Sequence, residues 1–89
     1  MPEEMTRLRY ALDVRGIAYQ DESDDFDRSF PFFDMTLYKT HFKHNSHDYI
    51  AMSGVGTLGG EWGLLELRVD GGDPVGSVTA DYILTLMGE

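Results

Sequence analysis

The chain has 89 residues, 42% of them hydrophobic and 12% aromatic, and its 16 acidic against 7 basic side chains leave a formal charge of −9. That length supports one modest core, burying roughly 60–65% of the surface of the unfolded chain, and the absence of cysteine excludes disulfides and thiolate zinc sites as its support. The negative field opposes direct contact with nucleic acid or anionic membranes and favours basic partners, although acidity also serves solubility alone.

No stretch approaches the ~20 apolar residues of a membrane span. The opening Met1-Pro2-Glu3-Glu4-Met5 lacks the basic segment and apolar run of a secretory signal, so a cytoplasmic location is expected.

In chain order, Met1, Met5, Leu8 and Leu12 share one stripe of a helix predicted over 3–15. Pro2 suits its start, Glu3 and Glu4 suit the positive end of its dipole, and Glu3 with Arg7 forms an i,i+4 pair. Gly16 is the expected left-handed residue that ends it. Ile17-Ala18-Tyr19-Gln20 then alternates as a short strand would.

Residues 21–27 follow with five carboxylates in seven positions: Asp21, Glu22, Asp24, Asp25 and Asp27. Such a run repels itself and predicts an exposed loop. Phe30, Phe32 and Phe33 come next, with Pro31 disfavouring a central strand.

Met35–Lys43 and Asp48–Val55 read as strands joined by a two-residue turn at Asn45-Ser46. Paired residue numbers then sum to 91, setting Phe42 opposite Tyr49, Thr40 opposite Ala51 and Lys43 opposite Asp48. Each such cross-strand pair contributes roughly 0.2–1 kcal/mol.

Residues 54–60 form a glycine-rich connector. The alternation of Leu65, Leu67 and Val69 with Glu66 and Arg68 favours a strand over 61–69, with a short helix as the alternative. Residues 70–74 form a loop. Thr79 caps a final helix whose Ala80, Ile83, Leu84 and Met87 share one stripe, ended by Gly88.

The expected fold is a single α+β domain over 1–89. It comprises a small antiparallel sheet of three or four strands, with an N-terminal and a C-terminal helix on one face.

Chemical motifs are sparse. Gly54-x-Gly56-x-x-Gly59 matches a dinucleotide fingerprint in spacing, but the chain is too short for the doubly wound sheet that gives those glycines their role. His41, His44 and His47 would share a face on a helix; on a hairpin, 41 and 47 are expected on one face and 44 on the other, which disfavours a metal site. Ser46-His47-Asp48 has triad residue types in a contiguity that triad geometry forbids.

No catalytic residue, metal or cofactor is therefore expected. The feature that points to chemistry is the acidic run beside the phenylalanines. Aromatic anchors ringed by charge describe an interface for a basic partner. Arg7, Arg9 and Arg15 place three of the seven basic residues on the first helix, which predicts a segregated, more negative remainder.

Four blocks resemble short, uncharacterised proteins encoded by bacterial phages and prophages. They are Leu12-Asp13-x-Arg15-Gly16-Ile17, Gly54-x-Gly56-Thr57-x-Gly59-Gly60, Gly63-Leu64-Leu65-Glu66-Leu67 and Pro74-Val75-Gly76-x-x-Thr79-Ala80-Asp81. The resemblance implies a protein at work in the host cytoplasm. It also implies an inhibitor of the anti-CRISPR kind that occludes a basic, nucleic-acid-binding host protein such as a CRISPR effector. Residues 21–27 and Phe30, Phe32 and Phe33 would then meet the partner. The alternative is a phage accessory or assembly protein that associates with itself or another phage protein.

Overall fold

The structure is a computed structural model that describes residues 1–25, 36–54 and 56–89. Helix α1 spans Glu3–Val14, and Arg7 meets Glu3 at 2.8 Å as the spacing predicts. Its end is a Schellman motif: Gly16, at φ 69°, donates to the Asp13 carbonyl, and Ile17 donates to that of Leu12 at 2.9 Å. The stripe of Met5, Leu8, Ala11 and Leu12 is buried.

The described residues then form six strands: β1 (Tyr19–Asp21), β2 (Asp24–Asp25), β3 (Thr36–His44), β4 (His47–Ser53), β5 (Leu65–Val69) and β6 (Val75–Val78). The sheet order is β1-β3-β4-β5-β6, with β2 also paired to β3, and every pairing is antiparallel. It is wider than the three or four strands expected.

The predicted hairpin is present in its predicted register, with Phe42 opposite Tyr49, Thr40 opposite Ala51 and Lys43 opposite Asp48. Asn45 and Ser46 turn it at φ 50° and 68°, the two positive values that a tight two-residue turn with the sheet's twist requires. The Phe42 and Tyr49 rings stack at 5.0 Å.

The ambiguous segment resolves into a 3₁₀ turn at Gly60–Trp62 followed by β5. Helix α2 (Ala80–Leu86) is capped as expected, the Tyr82 amide donating to the Thr79 hydroxyl at 3.1 Å. Both helices lie on one face of the sheet. Met5, Leu8, Leu12, Ile83 and Met87 join Phe42, Tyr49, Ala51, Leu65, Leu67 and Val78 in one core. None of the helices described is long and apolar enough to cross a membrane.

Two expectations need correction. The register pairs His44 with His47, so these two share a face: residues summing to 91 lie on the same side, and parity inverts across the turn. His44 reaches Glu89, after α2, at 3.3 Å, while His41 lies on the other face.

The acidic run is not a loop throughout. Asp21 closes β1, and the backbone of Asp24 and Asp25 pairs with Leu37 and Thr36 of β3.

Candidate functional site

The acidic edge of the sheet is held by cations drawn from elsewhere in the chain. Arg9 leaves α1 toward the sheet and grips the start of the run. Its Nε donates to Thr40 Oγ1 at 2.7 Å, and its two terminal nitrogens donate to the two oxygens of Asp21 at 3.2 and 3.1 Å. One of them also reaches the Lys39 carbonyl at 3.3 Å, and the guanidinium sits 5.6 Å from the centre of the Tyr19 ring.

Ser23 completes the anchorage. Its amide donates to Asp21 Oδ1 at 3.0 Å, and its hydroxyl accepts from the Lys39 amide at 3.0 Å. Hydrogen bonds from Ser23, then from Arg9, hold the Asp21 carboxyl down to about 2. The expected segregation of basic residues on α1 therefore fails at Arg9, which neutralises the acidic run instead of standing apart from it.

Glu22 faces the side of the sheet away from the helices. One of its oxygens lies 3.5 Å from Lys39 Nζ and the other 3.2 Å from His41 Nδ1. The remaining ring nitrogen of His41 is 2.6 Å from Asp48 Oδ1. An imidazole flanked by carboxylates at both nitrogens is stabilised in its doubly protonated form. The hydrogen bond to Asp48, then that to Glu22, raises the His41 pKa, and the contact with His41 lowers that of Glu22.

This clamp ties the acidic edge to β4 and leaves neither nitrogen free to act as a base. A folded-state pKa raised above the ordinary value contributes stability that is complete below about pH 6.5 and is lost as pH rises through the folded value. The urea midpoint of the wild type should therefore fall between pH 6 and pH 8.5 by more than that of His41→Gln. Equal losses in the two proteins would show that the clamp contributes nothing.

Of the residues singled out from sequence, Asp21 and Glu22 come together with Arg9, Lys39 and His41, and Asp24 and Asp25 continue the same edge as β2. Asp27, Phe30, Phe32 and Phe33 lie outside the described residues. His41 and Asp48 were not recognised as a pair. Their signal was the hairpin register itself, which sets Asp48 opposite Lys43 and hence diagonal to His41 on one face.

Trp62 was also missed. It is 75% exposed, with Leu58 at 50% and Val75 at 46%. The one tryptophan of the chain closes the 3₁₀ turn Gly60–Trp62, ahead of the alternation at 65–69 that marked the strand.

The glycine fingerprint leads into no α-helix. Its residues fold the connector onto itself, with the Thr57 hydroxyl donating to the Gly54 carbonyl at 2.7 Å and accepting from the Gly54 amide at 3.0 Å. Among the described residues, no three His, Asp or Glu side chains are placed to hold a metal. No protein-family model matches the chain, and no curated protein or solved structure matches it either. The likeness to phage-encoded proteins rests on the four sequence blocks alone.

Proposed function

We propose that the protein is a non-catalytic binding module whose acidic edge occupies the basic surface of a nucleic-acid-binding host protein. The reading extends to a phage-derived inhibitor of the anti-CRISPR kind acting in the host cytoplasm. The observation that carries it is the register of the acidic run: residues 21–25 lie along the edge of the sheet against β3 instead of trailing in solvent. A carboxylate whose position is set before binding loses less entropy on meeting a lysine or arginine. Asp21 stays 55% exposed while gripped by Arg9, so its outer face remains open to a partner's donors.

The structure changes the choice of variant. Neutralising Asp21 or Glu22 would dismantle the pairs that hold the edge, so the informative substitution is Asp24→Asn, Asp25→Asn and Asp27→Asn together. Partners captured from host lysate should bind this variant about tenfold more weakly, and raising salt from 50 to 200 mM should weaken the wild type by a similar factor. Unchanged inhibition or capture by the triple variant would remove the proposal.

The exposed Trp62, with Leu58 and Val75, favours a second reading, an apolar interface with another copy or with a phage assembly protein. Association that is indifferent to salt and lost in Trp62→Ala would select it.

A further inference from the structure

The tight turn at Asn45-Ser46 brings two histidines together. His44 closes β3, His47 opens β4, and the ladder sets them directly opposite each other. Residues so paired share a face, with β-carbons about 4.5–5.5 Å apart. Two imidazoles at that spacing can meet on one ion, each nitrogen about 2.0–2.1 Å from it. The face is the one that carries the helices: His44 reaches Glu89 beyond α2, and the His47 ring meets that of Tyr49 edge to face at 6.3 Å. His41, the third histidine, lies on the other face with both nitrogens taken.

Each ring of the pair is held through one nitrogen. Asp70 Oδ2 lies 2.7 Å from His47 Nδ1, and the same carboxylate is fixed by the Asp48 amide, which donates to its Oδ1 at 2.8 Å. Glu89 Oε1 at 3.3 Å and the Asn45 side-chain amide at 3.2 Å both lie at His44 Nε2. Among the described residues nothing bonds to His47 Nε2 or to His44 Nδ1. A carboxylate at one ring nitrogen keeps the proton there and leaves the other nitrogen its lone pair, the support that metal-ligating histidines use.

We propose that His44 and His47 form a two-imidazole site for a divalent late transition ion, Cu²⁺ above Ni²⁺ and Zn²⁺, with water completing its coordination. Nδ1 of His44 and Nε2 of His47 are the donors. Glu89 and Asp70 orient the rings and offset the charge of the ion, as the chain's net −9 does at longer range. Imidazole selects these ions over Mg²⁺ and Ca²⁺, which take oxygen ligands. Two rings suffice for such a site, which is why it forms no three-ligand group among the described residues. It lies at the hairpin end, and its occupancy does not depend on whether the acidic edge binds a basic partner.

The test is titration of untagged, ¹⁵N-labelled protein with copper(II) chloride, and in parallel with the zinc and magnesium salts. One Cu²⁺ should bind per chain, with electron paramagnetic resonance showing two nitrogen ligands and amide broadening centred on 44–47, 70 and 89. Zn²⁺ should shift the same amides with about tenfold lower affinity, and Mg²⁺ should not compete. His44→Gln and His47→Gln should each weaken Cu²⁺ about a hundredfold, the loss of one arm of a chelate, while their metal-free amide spectra match the wild type away from the turn. His41→Gln should leave the affinity unchanged. Broadening centred on residues 21–25, affinity unaltered in the His44 and His47 variants, or an equal loss in His41→Gln would each overturn the proposal.

Discussion

Replacing Gly60 by alanine should destabilise the fold by about 3–5 kcal/mol, enough to unfold much of a domain whose whole stability is on the order of 4–13 kcal/mol. A β-carbon built on Gly60 lands on the Gly54 carbonyl oxygen and the Thr57 hydroxyl, and comes within 2.9 Å of the Gly54 amide nitrogen. None of these is the free end of a flexible side chain. The Thr57 hydroxyl is fixed by its two hydrogen bonds to Gly54, and Gly54 lies so close to the start of β3 that a β-carbon there would meet the Thr36 carbonyl oxygen at 2.6 Å. Relief therefore means breaking the Gly54–Thr57 turn, losing about 1 kcal/mol for each hydrogen bond and adding strain where the connector meets β3.

The control is Gly56→Ala in the same connector. Its φ of 84° disfavours alanine, but its β-carbon meets no atom of the described residues within 4 Å, so the cost should stay near 1 kcal/mol. Urea denaturation of both variants checks the pair. Equal effects would mean that the close approach at Gly60 relaxes without cost.

The elements legible in the sequence are those set by neighbours along the chain. Helix α1 follows from a stripe at helical spacing closed by Gly16, and the β3–β4 hairpin follows from one turn and its pairing arithmetic. Strand β6 escaped because Val75-Gly76-Ser77-Val78 is short and shows no alternation. Its pairing with β5 shifts register between Leu65 and Leu67, and Ser77 takes a φ of 56° there.

The acidic run was misread for a different reason. Self-repulsion is a property of the segment, but the cations that offset it are Arg9, Lys39 and His41, each 12 or more residues from its carboxylate partner in this run. Only the sheet brings them together.

The largest effect on the acidic edge should come from Arg9→Met, which keeps an apolar stem and removes the fork. Among the described residues Arg9 is the most interior of the paired cations, its side chain 13% exposed, and one guanidinium joins α1, β1 and β3 through Asp21, Thr40 and the Lys39 carbonyl. Hydrogen bonds with a charged partner contribute about 1.5–3 kcal/mol. Because Asp21 regains water when released, the expected loss is about 2 kcal/mol, accompanied by faster amide exchange across β1.

Arg9→Lys should recover less than half of this, since an ammonium cannot span Thr40 and both oxygens of Asp21 at once. Acid separates this role from simple packing. The Asp21 pKa is depressed in the folded state to about 2, so its contribution is present above the unfolded value near 4 and disappears as pH falls toward 2. The gap in stability between wild type and Arg9→Met should therefore narrow across that interval. A gap that is constant from pH 5 to pH 2 would mean that Arg9 acts through its contacts with Thr40 and the Lys39 carbonyl, leaving the carboxylates of the edge without the anchor on which the proposed binding surface depends.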